Sequence, residues 1–175
     1  ERGADVNAQG GDYGAVTPLQ AASATGHKEV AQLLLEKGAD ANAPGGLYGT
    51  ALQAASQYGR KEVVRLLLEK GADVNALGGD FGTALQAASY QGDKEIVQLL
   101  LARGANVNLQ AGHYGTALQA ASAMGHKEVV QLLLNRGADI NAQGGIYGNA
   151  FQAASRLGLQ EIVQLLLENG AHNGL

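Results

Sequence analysis

Residues 45–77 read GGLYGTALQAASQYGRKEVVRLLLEKGADVNAL, and most of those letters return in order at 78–110, 111–143 and 144–175. A looser copy, carrying two extra residues at Ala15-Val16, occupies 10–44, and residues 1–9 match the tail of one more unit. The tripeptide Gly-Ala-Asp or Gly-Ala-Asn marks the register at Gly3, Gly38, Gly71, Gly104 and Gly137, with a broken copy at Gly170. A fixed period of 33 residues belongs to a solenoid, in which each unit buries its apolar face against its neighbours. The 175 residues are therefore expected to form one repeat domain made of five stacked units.

Within a unit, Thr50 is a hydroxyl residue suited to an N-cap, Ala51–Ser56 are strong helix formers, and Gly59 supplies a stop. Residues 61–70 carry a broad apolar face and end at Gly71, a natural left-handed cap, which predicts a longer second helix. Glycines concentrate in the GGxYG segment between units, where positive φ angles permit a tight projecting turn. Helices this short are marginal alone, so stacking has to hold them.

Composition narrows the function. The net charge of −4 and pI near 5.5 provide no basic patch for phosphate neutralisation, so nucleic acid is not an expected partner. No cysteine is present, which permits a reducing compartment, and an intracellular, cytoplasmic setting is the expectation. No apolar run approaches the roughly 20 residues of a membrane span, so no membrane partner is expected.

The unit resembles the ankyrin repeat. Thr17-Pro18-Leu19-Gln20-Ala21-Ala22 is close to the signature TPLHxAA; Gly26-His27-Lys28-Glu29-Val30 and Gly38-Ala39-Asp40-Ala41-Asn42 fit the other two hallmarks. The 34-residue tetratricopeptide pattern does not fit. The resemblance implies an all-α repeat solenoid of helix-turn-helix units, each with a projecting loop or β-hairpin, stacked with a concave face. Near-identical units of this style are similar to fungal ankyrin arrays, including those of nucleotide-binding, NOD-like receptor proteins, and suggest a segment of a larger protein. A consensus-engineered array would also repeat this closely, but the insertion and the Leu109 irregularity favour a natural origin. The sequence departs from the signature in two ways. Alanine replaces the proline in four units, and Gln20, Gln53, Gln86, Gln119 and Gln152 stand for its histidine; glutamine both donates and accepts, so it suits the same bridging role.

Variation among the copies concentrates at the loop tip, Asp12, Leu47, Asp80, His113 and Ile146, and at the first-helix end. There the changing residues are Thr25, Gln57, Tyr58, Tyr90, Gln91, Met124, Arg156 and Leu157. The resemblance places both sets on the concave side, where a protein or peptide would bind; the alternative is drift at unconstrained surface positions. Tyr13, Tyr48, Phe81, Tyr114 and Tyr147 share one register and read either as a stacking platform for a peptide or as rings bracing the loop. Near-constancy favours bracing.

No catalytic constellation emerges. His27, His113, His126 and His172 lack converging metal spacing, and the repeated Ser23, Ser56, Ser89, Ser122 and Ser155 have no activating base beside them. GGxYG matches neither a dinucleotide nor a phosphate loop. The expectation is a non-enzymatic interaction module without cofactor or metal. Its alternative is a structural array, monomeric or associating end to end through uncapped termini.

Overall fold

The computed structural model describes residues 5–10 and 15–172. Among them ten α-helices form and no strand: α1 (Pro18–Thr25), α2 (Lys28–Glu36), α3 (Ala51–Gln57), α4 (Lys61–Glu69), α5 (Ala84–Gln91), α6 (Lys94–Ala102), α7 (Ala117–Met124), α8 (Lys127–Asn135), α9 (Ala150–Arg156) and α10 (Gln160–Glu168). The odd-numbered first helices stack in one row and the even-numbered second helices in another. One continuous apolar core runs between the rows, through residues such as Leu52, Ala55, Val64, Leu67, Leu85 and Leu100.

Each first helix starts where a side-chain oxygen meets an orphan backbone N–H. Thr17, Thr50, Thr83, Thr116 and Asn149 each accept from the amide of the glutamine three residues on. At α1, α3, α7 and α9 that glutamine returns a bond to the cap's own N–H, completing a capping box. The return bond is missing at α5, where Gln86 Oε1 is buried without a partner. The second helices depend instead on amphipathicity. Val63, Val64, Leu66 and Leu67 of α4 are buried, while Lys61, Glu62 and Arg65 face outward in ion pairs of small individual worth.

Small residues let the first helices approach closely. Ala54, Ala55, Ala87, Ala88, Ala120 and Ala121 are fully buried, and so are Ser23, Ser56, Ser89 and Ser122, whose hydroxyls find no hydrogen-bond partner. An unpaired buried hydroxyl costs about 1–3 kcal/mol, and alanine is also the better helix former. Ser89→Ala is therefore expected to stabilise the array by about 1 kcal/mol or more. A urea titration reads this as an upward shift of the midpoint, and a downward shift would mean the hydroxyl has a partner.

The ends of the stack lack the cover that interior units share. Val30 and Leu33 of α2 are 48% and 53% exposed, whereas their counterparts Val63 and Leu66 are 1% and 6% exposed. At the other end Leu167 is 47% exposed, and Ser155 is exposed where its four equivalents are buried.

Between helix pairs, each loop closes on a single antiparallel bridge: Gly45 with Gly49, Gly78 with Gly82, Ala111 with Gly115 and Gly144 with Gly148. In the looser first copy the bridge joins Gly10 to Val16, spanning the insertion. Consecutive tips are joined too. Asp80 N–H donates to Leu47 O at 3.1 Å, His113 N–H to Asp80 O at 3.1 Å, and Ile146 N–H to His113 O at 2.9 Å. Backbones bonded this way lie about 4.8 Å apart, whereas packed helices lie about 8–10 Å apart. Loops spaced more closely than helices bend a stack toward the loops, which is the side on which a concave face is expected.

Candidate functional site

Three polar ladders join successive units along the loop side of the stack, the first of them lacking one bond at Gln86. The first is the glutamine. Gln20 Oε1 accepts from Thr17 N–H at 2.8 Å, and its Nε2 donates to Ala43 O at 3.0 Å and Gly49 O at 2.9 Å. Gln53 and Gln119 repeat the pattern with Ala76, Gly78 and Gly82, and with Ala142, Gly144 and Gly148. One amide thereby caps its own helix and holds the next loop.

The second ladder lies in the Gly-Ala-Asp turns. Asp40 Oδ1 accepts from Asn42 N–H at 2.8 Å within the turn, while Asn42 reaches the next one, donating to Gly71 O at 3.3 Å and accepting from Asp73 N–H at 2.7 Å. Asn7, Asn75 and Asn108 make the same paired bonds forward, and Asn141 accepts from His172 N–H. Where asparagine replaces aspartate, Asn106 Oδ1 still accepts from Asn108 N–H at 3.0 Å, so the turn survives. The periodic Asx residues thus satisfy not only their own loops but those of their neighbours.

The third ladder is the backbone column through the loop tips. It requires close approach. A Cβ at Gly112, where φ is +61°, would lie 2.4 Å from Phe81 C and 2.5 Å from Phe81 O. The side chains of Leu47, Asp80, His113 and Ile146 therefore project in a row from a fixed backbone, and all four are exposed.

Beside this row runs the aromatic ladder. Phe81 and Tyr114 stack at 6.4 Å with 9° between planes, and Tyr114 meets Tyr147 at 6.4 Å. Tyr90, from the end of α5, wedges against both Phe81 at 4.9 Å and Tyr114 at 5.0 Å; Tyr58 packs edge-on to Tyr48 at 5.8 Å. Each ring braces its neighbour, and the ladder draws first-helix-end residues into itself. Tyr90 is consequently a scaffold residue as well as a surface one: it is half-buried, and its carbonyl faces His126 Nε2 at 2.9 Å.

Of the other varying positions, Thr25, Tyr58, Gln91, Arg156 and Leu157 are exposed, and Gln57 and Met124 half-buried. Asp12, like Tyr13, lies outside the described residues. At the far end of the first helices, Arg60 Nε donates to Ala24 O at 2.9 Å, and His27 Nδ1 lies 2.7 Å from Thr25 Oγ1. These side chains serve the connection between helices. Among the described residues no group of three or more His, Cys, Asp or Glu is placed to hold a metal ion, and no helix is long and apolar enough to cross a membrane.

The ladder perturbs two phenols. Burial, and then the Tyr90 hydroxyl, push the Tyr114 phenol from 10.0 up to about 12. The Tyr58 hydroxyl, followed by burial, raises that of Tyr48. A raised folded-state pKa means that the fold favours the neutral phenol. Tyr114's contribution to stability is therefore complete below pH 10.0 and drains away as pH climbs toward about 12. Spectrophotometric titration should show a late-ionising tyrosine that Tyr114→Phe removes. A variant titration indistinguishable from the parent's would place the late phenol elsewhere.

A family model described as ankyrin repeats (3 copies) matches residues 2–78 and 85–175. A comparison with curated proteins finds no match.

Proposed function

The chain belongs to the ankyrin-repeat family, and from that premise we propose that it is a non-catalytic module that binds a protein or peptide through its loop tips and first-helix ends. Ankyrin repeats are generally protein–protein interaction modules, and the family is typically without catalysis. The observation that carries the finer reading is the tip column. Leu47, Asp80, His113 and Ile146 differ in charge and size, yet their backbones are hydrogen-bonded to one another in register. Fixed backbones bearing varied side chains are what an extended recognition surface requires. Tyr58, Met124, Arg156 and Leu157 extend it along the helix ends with side chains suited to anchoring an interface.

Replacing those four together with alanine is expected to abolish partner capture while leaving helicity close to the parent's and costing only the edge contact of Tyr58 with Tyr48, about 0.5–1.5 kcal/mol. Alanine at Gln98 and Gln131, on the outer helices, should leave capture intact. Undiminished capture by the fourfold variant would remove the concave surface from consideration.

The exposed ends favour a second reading, end-to-end association of copies through the α2 face bearing Val30 and Leu33 and the face bearing Leu167. It meets an obstacle. The turn at 5–8, bonded to Asp40 and Gly38, and the segment at 170–172, bonded to Asn141, would claim one position in a joined stack. Sedimentation as a monomer at high concentration is the outcome that ends this reading.

A further inference from the structure

We propose that the segment bound on this face is an extended strand whose alternate side chains are apolar and whose ends carry opposite charges, basic over Asp80 and acidic over Arg156. The proposal rests on the concave face being the binding surface and adds the chemistry of what binds there.

Spacing selects the conformation. Phe81, Tyr114 and Tyr147 step by 6.4 Å and then 6.4 Å. Same-face side chains of an extended strand recur every two residues, about 6.4–6.8 Å. One turn of an α-helix advances about 5.4 Å, and one turn of polyproline II about 9.3 Å, so neither keeps register over three rings. An extended segment matches that step, its side chains falling beside the rings with Tyr90 seated between the first two. Its backbone does not add to the tip column as another strand, because the N–H groups of Asp80, His113 and Ile146 already bond the preceding carbonyls. Side chains hold it instead.

Charge selects the ends. Asp80 and Arg156 are the charged residues among the varying, described positions of this face apart from the histidine. Both are exposed, and neither side chain enters an ion pair or a hydrogen bond among the described residues, unlike Arg60 and Asp93, whose side chains serve the fold. Asp80 adjoins the first ring of the three, and Arg156 belongs to the helix that follows the third. A strand covering all three rings thus meets an unpaired carboxylate at one end and an unpaired guanidinium at the other. Such complementarity orients a partner and rejects like charges.

The test uses a labelled nonapeptide, Lys-Ser-Val-Ser-Val-Ser-Val-Ser-Glu with blocked termini, beside versions ending in lysine at both ends or glutamate at both ends. Fluorescence anisotropy should show the mixed-end probe binding the parent about tenfold tighter than either like-charged probe. Asp80→Lys should transfer the preference to the two-glutamate probe, and Arg156→Glu to the two-lysine probe. Equal affinities, absent binding, or preferences that fail to switch would overturn the extended-strand proposal. If the probes fail while the fourfold alanine variant still loses capture, the concave surface stands and its ligand is of another shape. If that variant keeps capture, the surface itself falls.

Discussion

Gln119→Leu is expected to cost about 3–5 kcal/mol, among the largest effects of any single conservative-volume change in the array. The leucine fills similar space, so the loss is polar. Thr116 N–H loses its acceptor, and the carbonyls of Ala142, Gly144 and Gly148 lose the Nε2 donor. Gly148 O keeps its bridge to Gly144 N–H, which limits the damage there. The buried amide and the remaining carbonyls carry the desolvation cost, about 1–3 kcal/mol for each group left unsatisfied. Gln119→His should cost much less, because a neutral imidazole retains one acceptor for Thr116 and one donor for the loop. Urea unfolding fitted with nearest-neighbour coupling checks both variants, since repeat arrays lose strict two-state behaviour. Leucine and histidine variants of equal stability would show that the glutamine contributes only its volume.

Gly112→Val should be comparably severe, for a different reason. The left-handed backbone alone penalises any side chain by about 1–2 kcal/mol, and here the new atoms would also run into the Phe81 backbone at 2.4 Å. Backbone cannot rotate aside as a long side chain can, so the loop must move. That movement breaks the His113 N–H to Asp80 O bond and separates the rings of Phe81 and Tyr114. We expect a loss of about 3–4 kcal/mol and faster amide exchange at His113. Gly104 provides the control. Its φ is +89°, yet nothing lies within 4 Å of an added Cβ, so Gly104→Ala should show the backbone penalty alone. Equal losses at the two positions would argue that the loops do not approach as closely as the structure shows.

Much of this architecture can be read from the chain because repetition amplifies weak local signals. Thr50, Gly59 and Gly71 each bound a helix by a mechanism confined to a few residues, and five copies make that mechanism visible. The substitution of glutamine for histidine is legible for the same reason: an amide has the donor and acceptor that the loop needs. What is not legible depends on distance between units. Nothing local reveals that Asn42 bonds to Gly71 and Asp73 rather than to its own loop, because the bond exists only once the turns stack. A signal was nevertheless present. Asn7, Asn42, Asn75, Asn108 and Asn141 hold asparagine at every step, while the neighbouring aspartate lapses to Asn106.

The same limit applies to the candidate surface. The varying positions stand out by comparing copies, but the backbone column beneath Asp80 and His113 arises from the tight convergence of glycine-rich tips. Tyr90 reads as a variable residue, yet it fills a space between two rings that belong to consecutive loops. Its neighbour Gln91 is exposed and free of that duty. Replacing Tyr90 would therefore mix a loss of scaffold with a loss of contact, which is why it is left out of the fourfold alanine variant.

Position-dependent photo-crosslinking reads most directly which side of the stack meets a partner. A photoreactive phenylalanine analogue placed singly at Leu47, Ile146 or Leu157, all exposed, should form adducts with the captured partner. The same analogue at Gln98 or Gln131 on α6 and α8 should form none. Adducts from α6 and α8 with silence at the loop tips would contradict the claim and move the interface to the outer helices.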